Sequence, residues 1–449
     1  MAKVIFAREA LLHDGWATDV RVTLTGAFIA TVARGASPLA SDTQVEALIP
    51  GMPNLHSHAF QRGMAALAER RGPSADSFWT WRDMMYRFAL GLSPEGMQAI
   101  AEMAYVEMLE AGFTRVGEFH YLHHDRDGRA YADPAELSRR ILAAAAATGI
   151  NLTHLPVFYA HSDFGGAAPS EGQRRFIHDL DAFARLTEVL RGAISRPLDR
   201  LGIAPHSLRA VTGAELDALR ATHPDGPIHI HISEQMREVN DSLAHSGQRP
   251  VDWLLTHQPV DARWCLIHAT HLTEAERRGI AATGAVVGLC PITEANLGDG
   301  LFPAVDYLAE GGRAGIGSDS NVQITAAGEM RLLEYGQRLF HRQRNLLAGG
   351  EGSTGGALLR AGLSGGAQAL GAPDPVIAPG APADLVALTD AADLPARGDR
   401  LLDRWIFGRD ASVADVWASG EHMVTSGRHI HRDAVLHRYR GAIREILEG

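Results

Sequence analysis

Residues Pro50-Gly51-Met52-Pro53-Asn54-Leu55-His56-Ser57-His58 constrain this 449-residue chain more than any other stretch. In an extended strand, residues two apart point to the same face. His56 and His58 can therefore aim two imidazoles at one point beyond a strand end, as a protein does when it grips a divalent metal. The chain has 22 histidines, so one such pair alone is also compatible with a surface coincidence. Three later stretches answer it: His229-Ile230-His231-Ile232-Ser233-Glu234, Leu266-Ile267-His268-Ala269 and Gly315-Ile316-Gly317-Ser318-Asp319-Ser320. Each puts a His or Asp at or just past a strand-like run.

Between these stretches, strand and helix alternate. Ser93 caps a helix with Pro94 at its first position, running through Leu109 to Gly112. A strand follows over 114–119. Ser138 is read as the start of a helix over 139–147, stopped by Gly149. Thr273 with Glu276 spells a capping box, and Gly284 ends that helix before a strand over 285–290. Continuous apolar strands between amphipathic helices describe a parallel sheet covered on both faces. A closed (β/α)8 barrel fits the count, and an open doubly wound sheet is the alternative. No Gly-x-Gly-x-x-Gly follows the first strand, which argues against a dinucleotide-binding domain. The glycine-rich run 349–356 reads as a loop and does not resemble a phosphate-binding P-loop.

Residues 1–48 read as short strands at 3–6, 20–24 and 28–32. Residues 376–449 add strand-like runs at 383–388, 413–418 and 422–425. Neither set can bury a core alone. They are expected to join in a small β-sandwich-like domain built from both chain ends, leaving 49–375 for the barrel.

A net charge of -11 makes the surface as a whole repel nucleic acid and anionic membranes, so neither is expected as a partner. No apolar run is long enough to span a bilayer, and the first residues break off before a signal-peptide core forms. Cys265 and Cys290 lie in apolar runs and read as reduced, buried thiols of a cytoplasmic protein. Lys3 is the only lysine.

The order His-x-His, strand-end His, a further His and Gly-Ser-Asp resembles the amidohydrolase superfamily of metal-dependent (β/α)8 hydrolases. His56-Ser57-His58-Ala59-Phe60-Gln61-Arg62-Gly63-Met64, Phe78-Trp79-Thr80-Trp81-Arg82 and Ala204-Pro205-His206-Ser207-Leu208-Arg209 resemble its formimidoylglutamate deiminase family. The resemblance runs nearly end to end. It implies His56, His58, His231 and Asp319 as metal ligands. Such a set suits Zn²⁺, with Fe²⁺ or Mn²⁺ also compatible. His229 shares the strand face of His231 and competes with it; the family pattern selects His231. Many two-metal members bridge their ions with a carboxylated lysine, and Lys3 lies outside the barrel, so one metal per chain is expected.

The resemblance also implies that Glu234 carries protons from water to the departing nitrogen. A plain first-turn glutamate is the alternative. His268 would orient the attacking water or polarise the attacked carbon, and Asp319 would accept a proton besides ligating. His271 is expected to be only a loop residue. The implied substrate is N-formimino-L-glutamate, a small anionic amidine. Arg82 and Arg209 are the candidates for its carboxylates, since a guanidinium forks onto a carboxylate. Gln61, Tyr121 and His206 are implied to line the same pocket. A homodimer is expected from the superfamily. Two rivals stand beside this reading. A purine, pterin or triazine ring substrate would use stacking aromatics, for which Trp79 and Trp81 qualify. A non-catalytic scaffold would have lost ligands, and none is missing.

Overall fold

The strand Met52–Ser57 (β1) is buried at every position, as an unalternating run requires when both sheet faces are covered. The computed structural model describes residues 3–65, 67–69, 77–350, 352–392 and 396–448. In it β1 pairs in parallel with Phe113–His120 (β2), which pairs with Asn151–Phe158 (β3). Two short pieces, Arg200–Leu201 and Ala204–Pro205 (together β4), continue that ladder. A second parallel ladder joins Ile228–Ile232 (β5), Trp264–His268 (β6), Val286–Leu289 (β7) and Arg313–Ile316 (β8). Two seams close the ring. Ile203 bridges to Ile228 and Ser207 to His231 on one side, and Ser57 bridges to Asp319 on the other. The barrel is therefore closed, and the open-sheet alternative falls.

Helices wrap the outside. Ser93 accepts from the Gly96 N–H and Pro94 opens the helix Pro94–Glu110, as read from sequence. The Thr273–Glu276 capping box opens Glu274–Thr283, which stops at left-handed Gly284. Two expectations need correction. The third such helix is Glu136–Thr148 and does not start at Ser138, which lies buried in its first turn. Asp133 starts the turn instead: its side chain accepts from the Ala135 N–H at 2.9 Å and its carbonyl from the Glu136 N–H at 3.1 Å. The glycine run 349–356 is not all loop, because the helix Thr354–Ala369 begins inside it, capped by Ser353. Gly355 is required there: a Cβ would come within 2.8 Å of the Asp403 backbone nitrogen.

Both chain ends meet in one eight-stranded sheet. Its centre is Thr43–Pro50, a strand the sequence reading did not single out. It runs parallel to Lys3–Leu12 and antiparallel to Leu385–Asp390. Gly15–Thr25 and Phe28–Ala33 extend one side; Ala411–Ala418, Glu421–Thr425 and Arg428–His429 extend the other. The helices Asp399–Phe407 and Arg432–Glu448 were likewise not anticipated. Lys3 lies in this sheet, its Nζ on Glu421 at 2.5 Å and on the Gly420 carbonyl at 3.0 Å. Cys265 and Cys290 are both free and buried. Among the described residues, no helix is long and apolar enough to cross a membrane.

Candidate active site

The carboxyl ends of barrel strands converge on one face. His56 is the penultimate residue of β1, and His58 follows at the turn. His231 stands near the end of β5, His268 ends β6, and Asp319 lies just past β8. Their rings and carboxylate meet. His231 Nε2 is 3.1 Å from His56 Nε2, and Asp319 Oδ1 is 3.3 Å from His58 Nε2 and 3.5 Å from His56 Nε2. Backbone hydrogen bonds hold the pieces in place: Asp319 donates its N–H to the His56 carbonyl, and His58 donates to the Asp319 carbonyl, both at 2.9 Å. Gly317 permits this approach, since a Cβ there would lie 2.9 Å from His56 Cβ. Asn321 adds a side-chain latch, donating to the His58 and Asp319 carbonyls at 3.1 and 3.0 Å. His268, Asp319, Ser233 and Asn321 all adopt left-handed backbone, with φ between 45° and 68°. Non-glycine residues in that region cost energy and concentrate at functional sites.

The tautomers follow from the carbonyls. His58 Nδ1 donates to the Phe119 carbonyl at 3.0 Å, and His231 Nδ1 to the His206 carbonyl at 3.2 Å. Both rings therefore present bare Nε2 lone pairs to the centre. Burial lowers all three imidazoles, His58 to about 3, so they stay neutral, and His58 and His231 cannot donate from Nε2. Two bare Nε2 lone pairs and a carboxylate oxygen converging beside a third imidazole call for a cation. His56, His58 and His231 can hold a metal together, with the Asp319 carboxylate beside them. Cys290 Sγ lies within 4.8 Å of ligand atoms of Asp319 and His268, and burial pushes its thiol well up. His229 is excluded as a competitor: its Nε2 is committed to the Ala369 carbonyl at 2.7 Å. His271 sits in the loop after β6, as expected.

Behind this cluster stands a ring of carboxylates. His268 Nε2 faces Glu234 Oε1 and Asp319 Oδ2, each at 3.7 Å, and His268 Nδ1 donates to Glu294 at 3.2 Å. Burial acts to lower His268, but Glu234, Glu294 and Asp319 outweigh it and hold the ring up at about 10. Burial, with Asp319 helping and His268 opposing, raises Glu234 to about 7. A carboxyl poised there can both take and give a proton near neutral pH. Glu118 lies below the His-x-His turn, where it accepts the Ala59 N–H at 2.7 Å; burial raises it to about 8.

The cleft above the cluster encloses about 560 Å³ including its open mouth. Every expected substrate residue lines it: Gln61, Arg82, Tyr121, His206 and Arg209. Gln61 donates to the Tyr121 hydroxyl at 2.8 Å and leaves its Oε1 free of partners. Neither Arg82 Nε nor Arg209 Nε has a partner among the described residues. Burial acts against the Arg209 guanidinium, but Glu238 and Glu234 keep it charged. The helix Phe78–Gly91 roofs the cleft, carrying Phe78, Trp81, Met85 and Tyr86 into it. Trp79 is not among the residues that line the cleft; its ring lies 4.4 Å from the Arg82 guanidinium and 4.3 Å from that of Arg237. Sequence reasoning missed Glu294, which only its spacing from Cys290 could have suggested, and the wall residues Tyr86, Tyr159 and Phe176, which carry no motif.

A model described as "Amidohydrolase family" matches residues 47–423. The chain belongs to the amidohydrolase family. A second model, "Formimidoylglutamate deiminase HutF, N-terminal domain", matches residues 2–45. Among amidohydrolase relatives, the chain is 51% identical to a formimidoylglutamate deiminase of Pseudomonas aeruginosa, covering 99% of each chain. It is 55% identical to an amidohydrolase of known structure from Brucella melitensis, with a TM-score of 0.95 over 99% of this chain and 100% of that one. A zinc-bound adenosine deaminase from Xanthomonas campestris shares the fold at 25% identity, with a TM-score of 0.81 over 99% and 98% of the two chains.

Proposed function

We propose that this amidohydrolase hydrolyses N-formimino-L-glutamate to N-formyl-L-glutamate and ammonia. The observation that carries the reading is two guanidiniums with unpartnered Nε atoms, Arg82 and Arg209, in the cleft that also holds the histidine–carboxylate cluster. The identity to the Pseudomonas deiminase across nearly the whole of both chains supports the same reading.

His56, His58, His231 and Asp319 would hold one divalent metal, Zn²⁺ before Fe²⁺ or Mn²⁺, which supplies activation of a water near neutral pH. Arg82 and Arg209 bind the substrate carboxylates, and Gln61, Tyr121 and His206 orient the formimino end. Glu234 takes a proton from the attacking water as the C–O bond forms at the formimino carbon. Glu234 then delivers that proton to the terminal nitrogen. His268, charged and facing both Glu234 and Asp319, stabilises the negative charge that develops, and Asp319 accepts the second proton. The amidine enters protonated, so its terminal nitrogen, with two hydrogens of its own and one from Glu234, leaves as ammonia as the C–N bond breaks and the formyl C=O forms.

The same reading takes the chain as a cytoplasmic homodimer acting in histidine degradation, with a barrel at 49–375 and a small β domain from 1–48 and 376–449. One observation favours a ring substrate instead: Trp81 and Phe78 line the cleft and could stack on a heterocycle. A ring substrate would leave both arginines without an anionic partner, which costs binding. Ammonia release from N-formimino-L-glutamate, measured beside adenosine and pterin substrates, decides between them. Turnover of a ring and none of the amidine would overturn the proposal.

A further inference from the structure

Gln173, at the end of the short turn Glu171–Gln173, is buried and its amide is fixed end for end. Its Oε1 accepts the Ser170 backbone N–H at 2.8 Å and the Ser170 hydroxyl at 3.0 Å. A flipped amide would set an NH₂ against that N–H. The other end must therefore donate. Gln173 Nε2 donates to the Tyr159 hydroxyl oxygen at 2.8 Å and, more weakly, to the Tyr86 hydroxyl at 3.4 Å.

Tyr159 thus spends its oxygen as an acceptor and keeps its own proton to give. The nearest hydroxyl, on Tyr86, is 3.5 Å away, longer than an ordinary hydroxyl hydrogen bond. No other acceptor takes that proton among the described residues. The residue is 4% exposed, with its ring against His206 at 4.4 Å. It lines the same cleft as Arg82 and Arg209, both of which leave an Nε–H unpartnered. A buried O–H with only a long contact to another hydroxyl, in a cleft with two guanidiniums, is a site for an oxyanion. Leaving it empty of one costs the desolvation of every donor.

We propose that the Tyr159 hydroxyl is a specificity-determining donor to one of the substrate carboxylates bound by Arg82 and Arg209, and that Gln173 is the positioning residue that turns the hydroxyl into the cleft. The identity of the acid rests on the deiminase reading above; the donor set does not. A site whose polar groups need an anionic partner rejects analogues that lack it more strongly than an apolar pocket rejects a missing methylene. Tyr159 and Gln173 would thus help to keep neutral ring substrates out.

Tyr159→Phe keeps the ring against His206 and removes the donor together with the oxygen that accepts from Gln173. The test compares kcat/KM on N-formimino-L-glutamate with that on two mono-acid analogues, N-formimino-4-aminobutyrate and N-formimino-2-aminobutyrate. The variant is expected to lose about tenfold to about a hundredfold, mostly in KM, on the full substrate and on the one analogue that retains the relevant carboxylate. On the other analogue it should match wild type. Equal losses on all three would make Tyr159 structural, and no loss on the full substrate would also overturn the proposal. Gln173→Met frees the Tyr159 hydroxyl to rotate, so it should raise KM in the wild-type background and change nothing in the Tyr159→Phe background. Additive losses would remove Gln173 from its positioning role.

A wild-type protein that released no ammonia from N-formimino-L-glutamate would refute the deiminase reading and not this one. Calorimetric binding of glutarate then carries the test. Glutarate held by wild type and bound about tenfold or more weakly by Tyr159→Phe upholds the donor, and equal affinities overturn it.

Discussion

His268 Nδ1 lies 3.2 Å from a Glu294 oxygen that also accepts the Cys290 N–H at 2.9 Å. The backbone bond fixes the carboxylate, and the carboxylate fixes the ring. His268 Nε2 is thereby aimed at Glu234 and Asp319 and not at the barrel wall.

Glu294→Ala should therefore lower kcat by about tenfold to about a hundredfold, the worth of a hydrogen bond to a charged group, with KM little changed. Glu294→Gln keeps an acceptor oxygen and should recover part of the loss. Steady-state kinetics of the two variants check this. A rise in KM with unchanged kcat would place Glu294 in substrate binding instead.

Glu234→Gln keeps the shape of the side chain and cannot shuttle a proton. Its kcat should fall by ~10²–10⁴-fold, the usual contribution of a general acid–base group. Metal content by elemental analysis should stay at the wild-type level. Unchanged turnover would take Glu234 out of the mechanism.

Three neutral imidazoles and one carboxylate suit a single ion, and the only lysine is engaged by Glu421 in the outer sheet. Protein prepared without chelator should carry one metal equivalent. Chelation should lower the thermal unfolding midpoint, because an ion that binds only the folded chain stabilises it. His231→Ala should lose the ion and that midpoint shift together. Two equivalents retained through dialysis and needed for activity would contradict the single-ion set.

Glu118 offers a pH signature. Its folded pKa, about 8, stands above the ordinary 4.5 because it is buried. Between those two values the folded protein holds a proton that the unfolded chain has released. Stability should therefore fall as pH rises through that window, by on the order of a few kcal/mol in all. Glu118→Gln mimics the protonated form, so its urea-unfolding free energy should fall less steeply from pH 5 to pH 8. Identical slopes in the two proteins would show that Glu118 does not titrate there.

Much of the site is legible in the chain itself, for a physical reason. Groups that could share a metal in a barrel sit at the ends of strands, so His56, His58, His231 and Asp319 come with a local pattern of apolar run and turn. Helix caps such as Ser93 and the Thr273–Glu276 pair are equally local, and the structure keeps them. Ser138 misled because Asp133, five residues upstream, starts the turn through its own side chain. Thr43–Pro50 escaped notice because its outer half is exposed and polar, and its neighbours come from distant parts of the chain. Glu294, Tyr159 and Gln173 acquire meaning only from contacts made across the barrel mouth. No spacing announces a hydroxyl whose oxygen is already used by an amide.

The strand Thr43–Pro50 runs through Gly51 straight into β1, the strand that carries His56. Its partner on one side, Leu385–Asp390, comes from beyond the last barrel strand. During synthesis, the segment leading to the first two imidazoles emerges early and keeps one edge bare until the whole barrel has been made. The turn that bears His56 and His58 thus gains this anchor last although it is made before the rest of the barrel, so a chain truncated before Leu385 would carry its histidines without the sheet that steadies them.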